Sequence, residues 1–446
     1  MLDAQNDNSL AATIELSLAS PLFRQLGPDA RSLLEVVAFF PQGVDENSLD
    51  WLFPTVLDIT NIFNRFCTLS LTYRNDGFVT MLAPLRDYFY PKDPNSSLLL
   101  RAVKEHYFSR MSVDFDPNNP GFAKTRWITS EDVNVERLLD IFTTIDASST
   151  GVWEACSKFV EHLYWHKPRL TILGPKIEGL SDDHSFKPHC LFDLARLFDR
   201  IGNQVECSRL LTRTLELWRE RGSESMVAQV LRYFSDVNRQ MGLREEGIEQ
   251  AKEALAIYEK LGNTTFQAEC LVNLAHLLQA DKQLDAAEEA ASRAINLIGE
   301  KGNQFLLCKS HRALGEIYRS KGETEKAISH FETALEIATP FNWQDVLFSI
   351  HYSLAMLFCD NGRLEDAQAH IELAKPHTTN NPYFLARVMH LQATVWRKQY
   401  KLEEARSEAL RAADAFEKLG ATGDAGVCRE LLQYIQKELD APGLSC

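Results

Sequence analysis

No stretch of this chain comes near the ~20 consecutive apolar residues that a membrane-spanning helix needs. The longest strongly apolar run, LLEVVAFF from Leu33 to Phe40, is far shorter, so no membrane association is expected. The start, MLDAQNDNSL, has neither the basic segment nor the apolar core of a secretory signal. Basic charge is in deficit: 47 Lys and Arg stand against 62 Asp and Glu, for a net charge of −15. Such a mean field repels phosphate, so no nucleic-acid partner is expected. The nine cysteines are scattered, odd in number and never spaced as CxxC, which fits reduced thiols. A cytoplasmic location is expected, with the nucleus also open to it.

The motifs of common catalysts are missing too. There is no GxSxG, HExxH, GxGxxG or phosphate-cradling GxxxxGK[ST], so the expectation is a non-enzyme without cofactor or metal. Two near misses fail on chemistry. Asp114, Asp116 and Asn118 imitate the start of a calcium loop, but Asn119 stands where glycine is needed and Thr125 where a bidentate glutamate belongs. His162 and His166 share one helix face at i, i+4, yet no third ligand is implied nearby.

What the chain does have is a period. LGEIYRSKGETEKAISHFETALEIA (Leu314 to Ala338) is matched forty residues later by LAMLFCDNGRLEDAQAHIELAK and forty earlier by LAHLLQADKQLDAAEEAASRAINL. One turn position recurs at Gly202, Gly242, Lys282, Gly322, Gly362 and Tyr400. A second series, Gly222, Gly262 and Gly302, marks where units end. Glycine suits both because it adopts the left-handed conformation that terminates a helix. Each unit therefore predicts two amphipathic helices. Small residues recur where those helices must approach, at Ala195, Ser235, Ala275, Gly315, Ala355 and Ala393 on the first helix. Ala287, Ala327, Ala367 and Ala405 do the same on the second. Phe198, Leu278, Tyr318, Phe358 and Trp396 fill the intervening space, a column that Asn238 interrupts.

These units resemble tetratricopeptide repeats, with Leu314, Gly315, Tyr318, Ala327, Phe331 and Ala334, followed by Pro340, carrying the best match. The period is longer than the usual ~34 residues, as in the kinesin-light-chain-like branch. The resemblance implies a mainly α fold, a right-handed solenoid of about six units over residues 186–440, stabilised by neighbour contacts. It also implies that one face of each first helix lines a concave groove for a partner protein or peptide. The positions carried over are His189, Phe192, Arg196 and Asp199; Gln229, Arg232, Asp236 and Arg239; Glu269, Val272, His276 and Gln279. The later units add Lys309, Arg312, Glu316 and Arg319; Ser349, Tyr352, Met356 and Cys359; and Arg387, His390, Thr394 and Arg397. Eight of these are Lys or Arg and four are acids, a surplus of four positive charges on an acidic molecule. A basic strip of this kind favours an acidic or carboxylate-bearing peptide. The competing reading is that the arginines are neutralised by acids on their own helices, as Glu316 and Arg319 allow at i, i+3. The lysine–asparagine set of the chaperone-tail carboxylate clamp is missing.

The first half reads differently. Ala30 to Phe40 has helical spacing after Pro28 and Asp29, and DENSLDWLF and DITNIFNRFC follow as short helices. Two β-prone runs flank Arg74-Asn75-Asp76-Gly77, the signal of a hairpin. Three helices and a hairpin read as a winged-helix-like α+β domain over residues 13–110. Its helix before the hairpin, Asp58 to Thr68, offers only Arg65, Asn61 and Asn64, too little for reading DNA. A helical connector is expected over residues 111–185, with helices near Glu131 to Asp146 and Val152 to Trp165. The order winged helix, connector and repeats resembles the C-terminal part of a fungal NLR-like (STAND) signalling NTPase, on LGPDARSLLEVVAFFPQGVDENSLDWLF and FVTMLAPLRDYF. Where that class often places a nucleotide-contacting histidine, this chain has Met81-Leu82-Ala83-Pro84. The resemblance implies a chain that begins where the NTPase core would end, acting as a sensor or regulatory arm. A free-standing adaptor and a winged-helix transcription regulator with a repeat sensor are the alternatives. No feature of the sequence speaks for a particular oligomeric state.

Overall fold

The computed structural model describes residues 11–111, 127–378, 381–419 and 421–440. The calcium-loop imitation at Asp114 to Thr125 lies outside them. The chain divides into two compact units, Met1–Gly222 and Ser223–Cys446.

In the first unit, α1 (Ala30–Phe39), α2 (Leu49–Leu52) and α3 (Ile59–Thr68) contribute Leu33, Val37, Leu52, Phe63 and Phe66 to a dry core. β1 (Val44–Asp45), β2 (Tyr73–Asn75) and β3 (Phe78–Thr80) form an antiparallel sheet in the order β1-β3-β2. The hairpin closes as the sequence implies: Asp76 and Gly77 take φ of +49° and +82°, as the two central residues of a type I′ turn must. Asn75 then pairs with Phe78 and Tyr73 with Thr80. α4 (Ala83–Phe89) and α5 (Leu98–Met111) complete this part.

The following helices are α6 (Asp132–Ile145), α7 (Thr150–His166), α8 (Gly174–Gly179), α9 (Lys187–Arg200) and α10 (Gln204–Glu220). Asn134 on α6 ties them to the sheet region. Its amide donates to the Gly43 carbonyl at 2.9 Å and accepts from the Gln42 N–H at 3.1 Å, satisfying all three groups in a buried place. His162 on α7 is fully buried and neither ring nitrogen has a hydrogen-bond partner. Burial, then the neighbouring His166 ring at 4.9 Å, pushes it down to about 4.

The second unit is a stack of paired helices. The pairs are α11 (Glu224–Met241) with α12 (Arg244–Lys260), α13 (Thr264–Ala280) with α14 (Leu284–Ile298), and α15 (Gln304–Lys321) with α16 (Thr324–Ala338). α17 (Gln344–Asp360) with α18 (Leu364–Ala374) and α19 (Pro382–Lys398) with α20 (Leu402–Lys418) follow, and α21 (Thr422–Leu439) is the last described helix. Together with α9 and α10 these make six helix pairs at the expected period. All six turn positions have left-handed φ, from +62° at Lys282 and Tyr400 to +84° at Gly202. Two side-chain-bearing residues thus occupy a conformation that favours glycine. The second glycine series holds at Gly222 and Gly262, both at +68°, but not at Gly302. There α14 ends at Ile298, two residues before the equivalent place, and Gly299 caps it with a positive φ of +66° and an extended ψ.

The small-residue columns are shut against their partners. Ala195, Ser235, Ala275, Ala355 and Ala393 are all fully buried, as are Ala287, Ala327, Ala367 and Ala405. The second column extends back through Gly247, where an added Cβ would lie 2.8 Å from Leu277 Cδ2. At Gly315 an added Cβ would come within 2.6 Å of the Phe331 ring. Asn238 stays in the interior, 4% exposed, because its amide donates to Gln250 at 3.0 Å. Among the described residues no helix is long and apolar enough to cross a membrane.

Two kinds of substitution test this packing. Gly315→Ala gains about 1 kcal/mol of helix propensity but overpacks against Phe331, which costs about 1–3 kcal/mol, so urea denaturation should show a net loss. Tyr400→Gly, at a side chain 75% exposed, should instead gain about 0.5–1 kcal/mol by relieving the left-handed backbone.

His162 makes a pH prediction. Its folded value lies below the ordinary 6.5, so the unfolded state takes up the proton first as pH falls. The stability present above pH 6.5 is lost between there and about 4, amounting to about 2 kcal/mol at pH 5. Thermal melts at pH 7.5 and 5 should show His162→Leu losing less stability on acidification than the unaltered chain.

Candidate functional site

The face assigned to partner binding is built from residues spaced by three and four along each first helix, which puts them on one side of it. In the second unit Gln229, Arg232, Asp236, Arg239, Glu269, His276, Gln279, Lys309, Arg312, Glu316 and Arg319 are each half-buried. Arg387, His390, Thr394 and Arg397 on α19 follow suit. Val272 and Cys359 do not: at 1% and 2% exposed they belong to the helix-packing core and offer nothing to a ligand. Arg196 lies in the first unit, where Asp193 at 3.4 Å and Glu161 at 3.7 Å neutralise it and the Tyr164 ring covers it at 4.4 Å.

The charge surplus is distributed unevenly. Arg232 meets Glu269 at 2.9 Å and Arg239 meets Asp236 at 2.7 Å. Arg319 is shared by Glu316 at 3.2 Å and Asp360 at 3.1 Å, while Glu316 also accepts from the Ser353 hydroxyl. Arg397 reaches Glu438 at 3.9 Å. Internal neutralisation therefore accounts for these four arginines.

Lys309, Arg312 and Arg387 are different: no carboxylate stands within ion-pairing distance of any of them among the described residues. Lys309 lies 5.6 Å from the Phe305 ring, and Arg387 lies 4.1 Å over Tyr352. Burial holds the Arg312 guanidinium below its ordinary value, and Arg239 and Arg387 add to that depression against the pull of Glu316. Burial, then Arg312, lowers the Lys309 ammonium as well. His276 is pushed well below 6.5 by burial and by Arg312, Arg239 and Lys309, so it is neutral at neutral pH. Cations gathered on one face without acid partners concentrate positive potential there.

At the C-terminal end of this face is a pocket of about 390 Å³ lined by Tyr352, Met356, Tyr383, Arg387, His390, Phe416, Asp424 and Val427. Tyr352, Met356, Arg387 and His390 were among the positions carried over from the repeat pattern. Tyr383, Phe416, Asp424 and Val427 were not. A signal for two of them existed: Asp424 and Val427 stand 37 positions after Arg387 and His390, so α21 continues the lining register beyond the last pair. Tyr383 and Phe416 carry no periodic mark. The Tyr383 hydroxyl donates to Asp424 at 3.0 Å, which occupies the one acid in the pocket wall. Burial lowers His390. No group of three or more potential metal ligands occurs among the described residues.

Comparison with known proteins agrees with this architecture. The tetratricopeptide-repeat family model matches residues 266–339. A curated relative, the 43 kDa receptor-associated protein of the synapse from Tetronarce californica, is 22% identical over 145 residues, 32% of this chain and 35% of that protein. Among solved structures, a signal transduction ATPase with numerous domains (STAND) with a tetratricopeptide repeat sensor, from Pyrococcus horikoshii, superposes with a TM-score of 0.58 at 14% identity. That match covers 94% of this chain and 61% of the archaeal one. The chain thus spans about a third of the curated relative and about three-fifths of the solved structure. The fold is a tetratricopeptide-like helical solenoid preceded by a small α+β start.

An unpaired, half-buried charge lowers stability, whereas a paired one leaves an orphan when its partner is removed. Arg312→Met should therefore raise stability by about 0.5–1 kcal/mol, and Arg232→Met should lower it by about 1 kcal/mol by stranding Glu269. Parallel urea titrations decide: equal losses would mean that Arg312 has a structural partner.

Proposed function

We propose that the chain is a non-catalytic protein-interaction scaffold that holds an acidic segment of a partner protein along the inner face of its second unit. The observation that carries this reading is the pair Lys309 and Arg312, half-buried on adjacent turns of α15 with no carboxylate within ion-pairing distance. A fold that needed these cations only for stability would have given them acids, as it does Arg232 and Arg319. The arrangement offers charge-assisted hydrogen bonds to a carboxylate in a surface of reduced dielectric, where such bonds are strongest. Nucleic acid is a poor alternative occupant for a chain of net charge −15.

Within that role we assign the chain to the sensor or regulatory arm of an NLR-like signalling NTPase, working in the cytoplasm. Support comes from the resemblance in the first half, where residues 13–110 read as a winged helix and 111–185 as a connector to the array at 186–440. The fold likeness to a STAND protein that carries a tetratricopeptide repeat sensor is in keeping with it.

The test uses the full chain with a photo-crosslinking residue in place of Ser349, which lies among the lining positions. The partner trapped should be lost when Lys309 and Arg312 are both changed to Glu, with an unchanged melting temperature. Undiminished crosslinking in the charge-reversed chain would overturn the groove reading. The partner's identity, an NTPase subunit or another protein, tests the assignment to a signalling arm.

A further inference from the structure

We propose that the pocket between α17, α19, α20 and α21 is an anchor site for one large apolar side chain of a bound peptide, and that Arg387 holds a carboxylate on a residue beside it. This rests on the protein-binding reading of the inner face and adds a rule of selectivity to it.

The pocket has the dimensions of a specific site. At about 390 Å³ it falls within the ~300–1,000 Å³ range of pockets that bury small ligands, enough for a leucine, phenylalanine or tryptophan side chain. Its wall offers Tyr352, Met356, Phe416 and Val427 as apolar contacts. Met356 is adaptable in shape, and Val427 stands 51% exposed, apolar surface left facing water.

The charges around it are complementary to a carboxylate. The Arg387 guanidinium carbon lies 4.1 Å from the centre of the Tyr352 ring, a cation–π contact that holds it beside the pocket, and no acid among the described residues pairs with it. Asp424, the acid in the wall, is already taken by the Tyr383 hydroxyl at 3.0 Å. Arg312 occupies the lining position one unit before Tyr352, so two guanidiniums without acid partners bracket that ring along the face. A purely apolar occupant would desolvate Arg387 without pairing it, and a purely acidic one would leave the apolar wall wet. A carboxylate next to a large apolar side chain satisfies both, and a planar donor held beside a pocket rewards that pairing.

Selection of a random dodecapeptide library displayed on phage against the full chain tests this, with fluorescence anisotropy of the synthesised consensus as the readout. The selected peptides should place Asp or Glu within two positions of Leu, Phe or Trp. Consensus binding should weaken about tenfold or more on Arg387→Gln, and likewise on Val427→Trp, which fills the pocket from an exposed position without touching the core. Exchanging the peptide's acid for its amide should cost the unaltered chain the same factor and cost Arg387→Gln almost nothing. Peptides that bind both variants undiminished, yet are lost on Lys309→Glu/Arg312→Glu, would overturn the anchor site and leave the groove standing. Enrichment of peptides without the acid–apolar pairing would overturn the anchor too. Failure to enrich any peptide would remove the groove reading along with it.

Discussion

The closeness of paired helices is the constraint on which everything else in the repeat array depends. Each pair is drawn together until backbone meets side chain at Ala195, Ser235, Ala275, Gly315, Ala355 and Ala393, all without exposure to solvent or nearly so. At Gly315 there is no space even for a methyl group beside Phe331. That contact sets the distance between helices, and a left-handed residue at each turn sets their angle. With both fixed, the next pair meets the same surface as the last, and the lining residues fall into register along one face. The lining face is a by-product of packing that takes place on the opposite sides of the same helices.

The charges on that face are distributed accordingly. Where a repeat carries an acid within reach, the arginine is neutralised and serves as a strut between neighbouring helices, as in Arg232 with Glu269 and Arg319 with Asp360. Two units on, Ser349 stands where Glu269 does, so Arg312 has no such acid to pair with. The unpaired charge is therefore confined to α15 and α19, and it coincides with the stretch where aromatic side chains replace polar ones. Polar and apolar recognition elements are concentrated in the second half of the face.

Much of this was legible in the sequence because the repeat writes the same physical demand several times. The turn positions at Lys282 and Tyr400 were found by spacing although neither is glycine, and both are left-handed. The hairpin at Asp76-Gly77 was legible from two residues alone, since few pairs tolerate its backbone. The misses have equally local causes. Gly302 looked like Gly222 and Gly262, but a glycine three residues earlier ended α14 first. Val272 and Cys359 occupied lining positions by count, yet both are buried in the helix-packing core, as apolar side chains at that margin are free to be. The i, i+3 pairs Asp236–Arg239 and Glu316–Arg319 follow from helical spacing, whereas Arg232 with Glu269 and Arg319 with Asp360 join residues about forty positions apart, where no helical spacing rule reaches. The pocket was invisible because Phe416 comes from a second helix and Tyr383 from the first turn of α19, positions that carry no shared period.

α21 carries lining residues in the register of a first helix and supplies Asp424 and Val427 to the pocket. A helix in a linear array owes most of its stability to its neighbours, so a ligand that bridges several helices adds to what holds them together. An occupant of the pocket touches α17, α19, α20 and α21 together and so acts as a clasp across them. By mass action, whatever binds there must also disfavour local opening of those helices. Affinity and durability are thus coupled in this molecule: the occupied chain is the one that resists proteases longest.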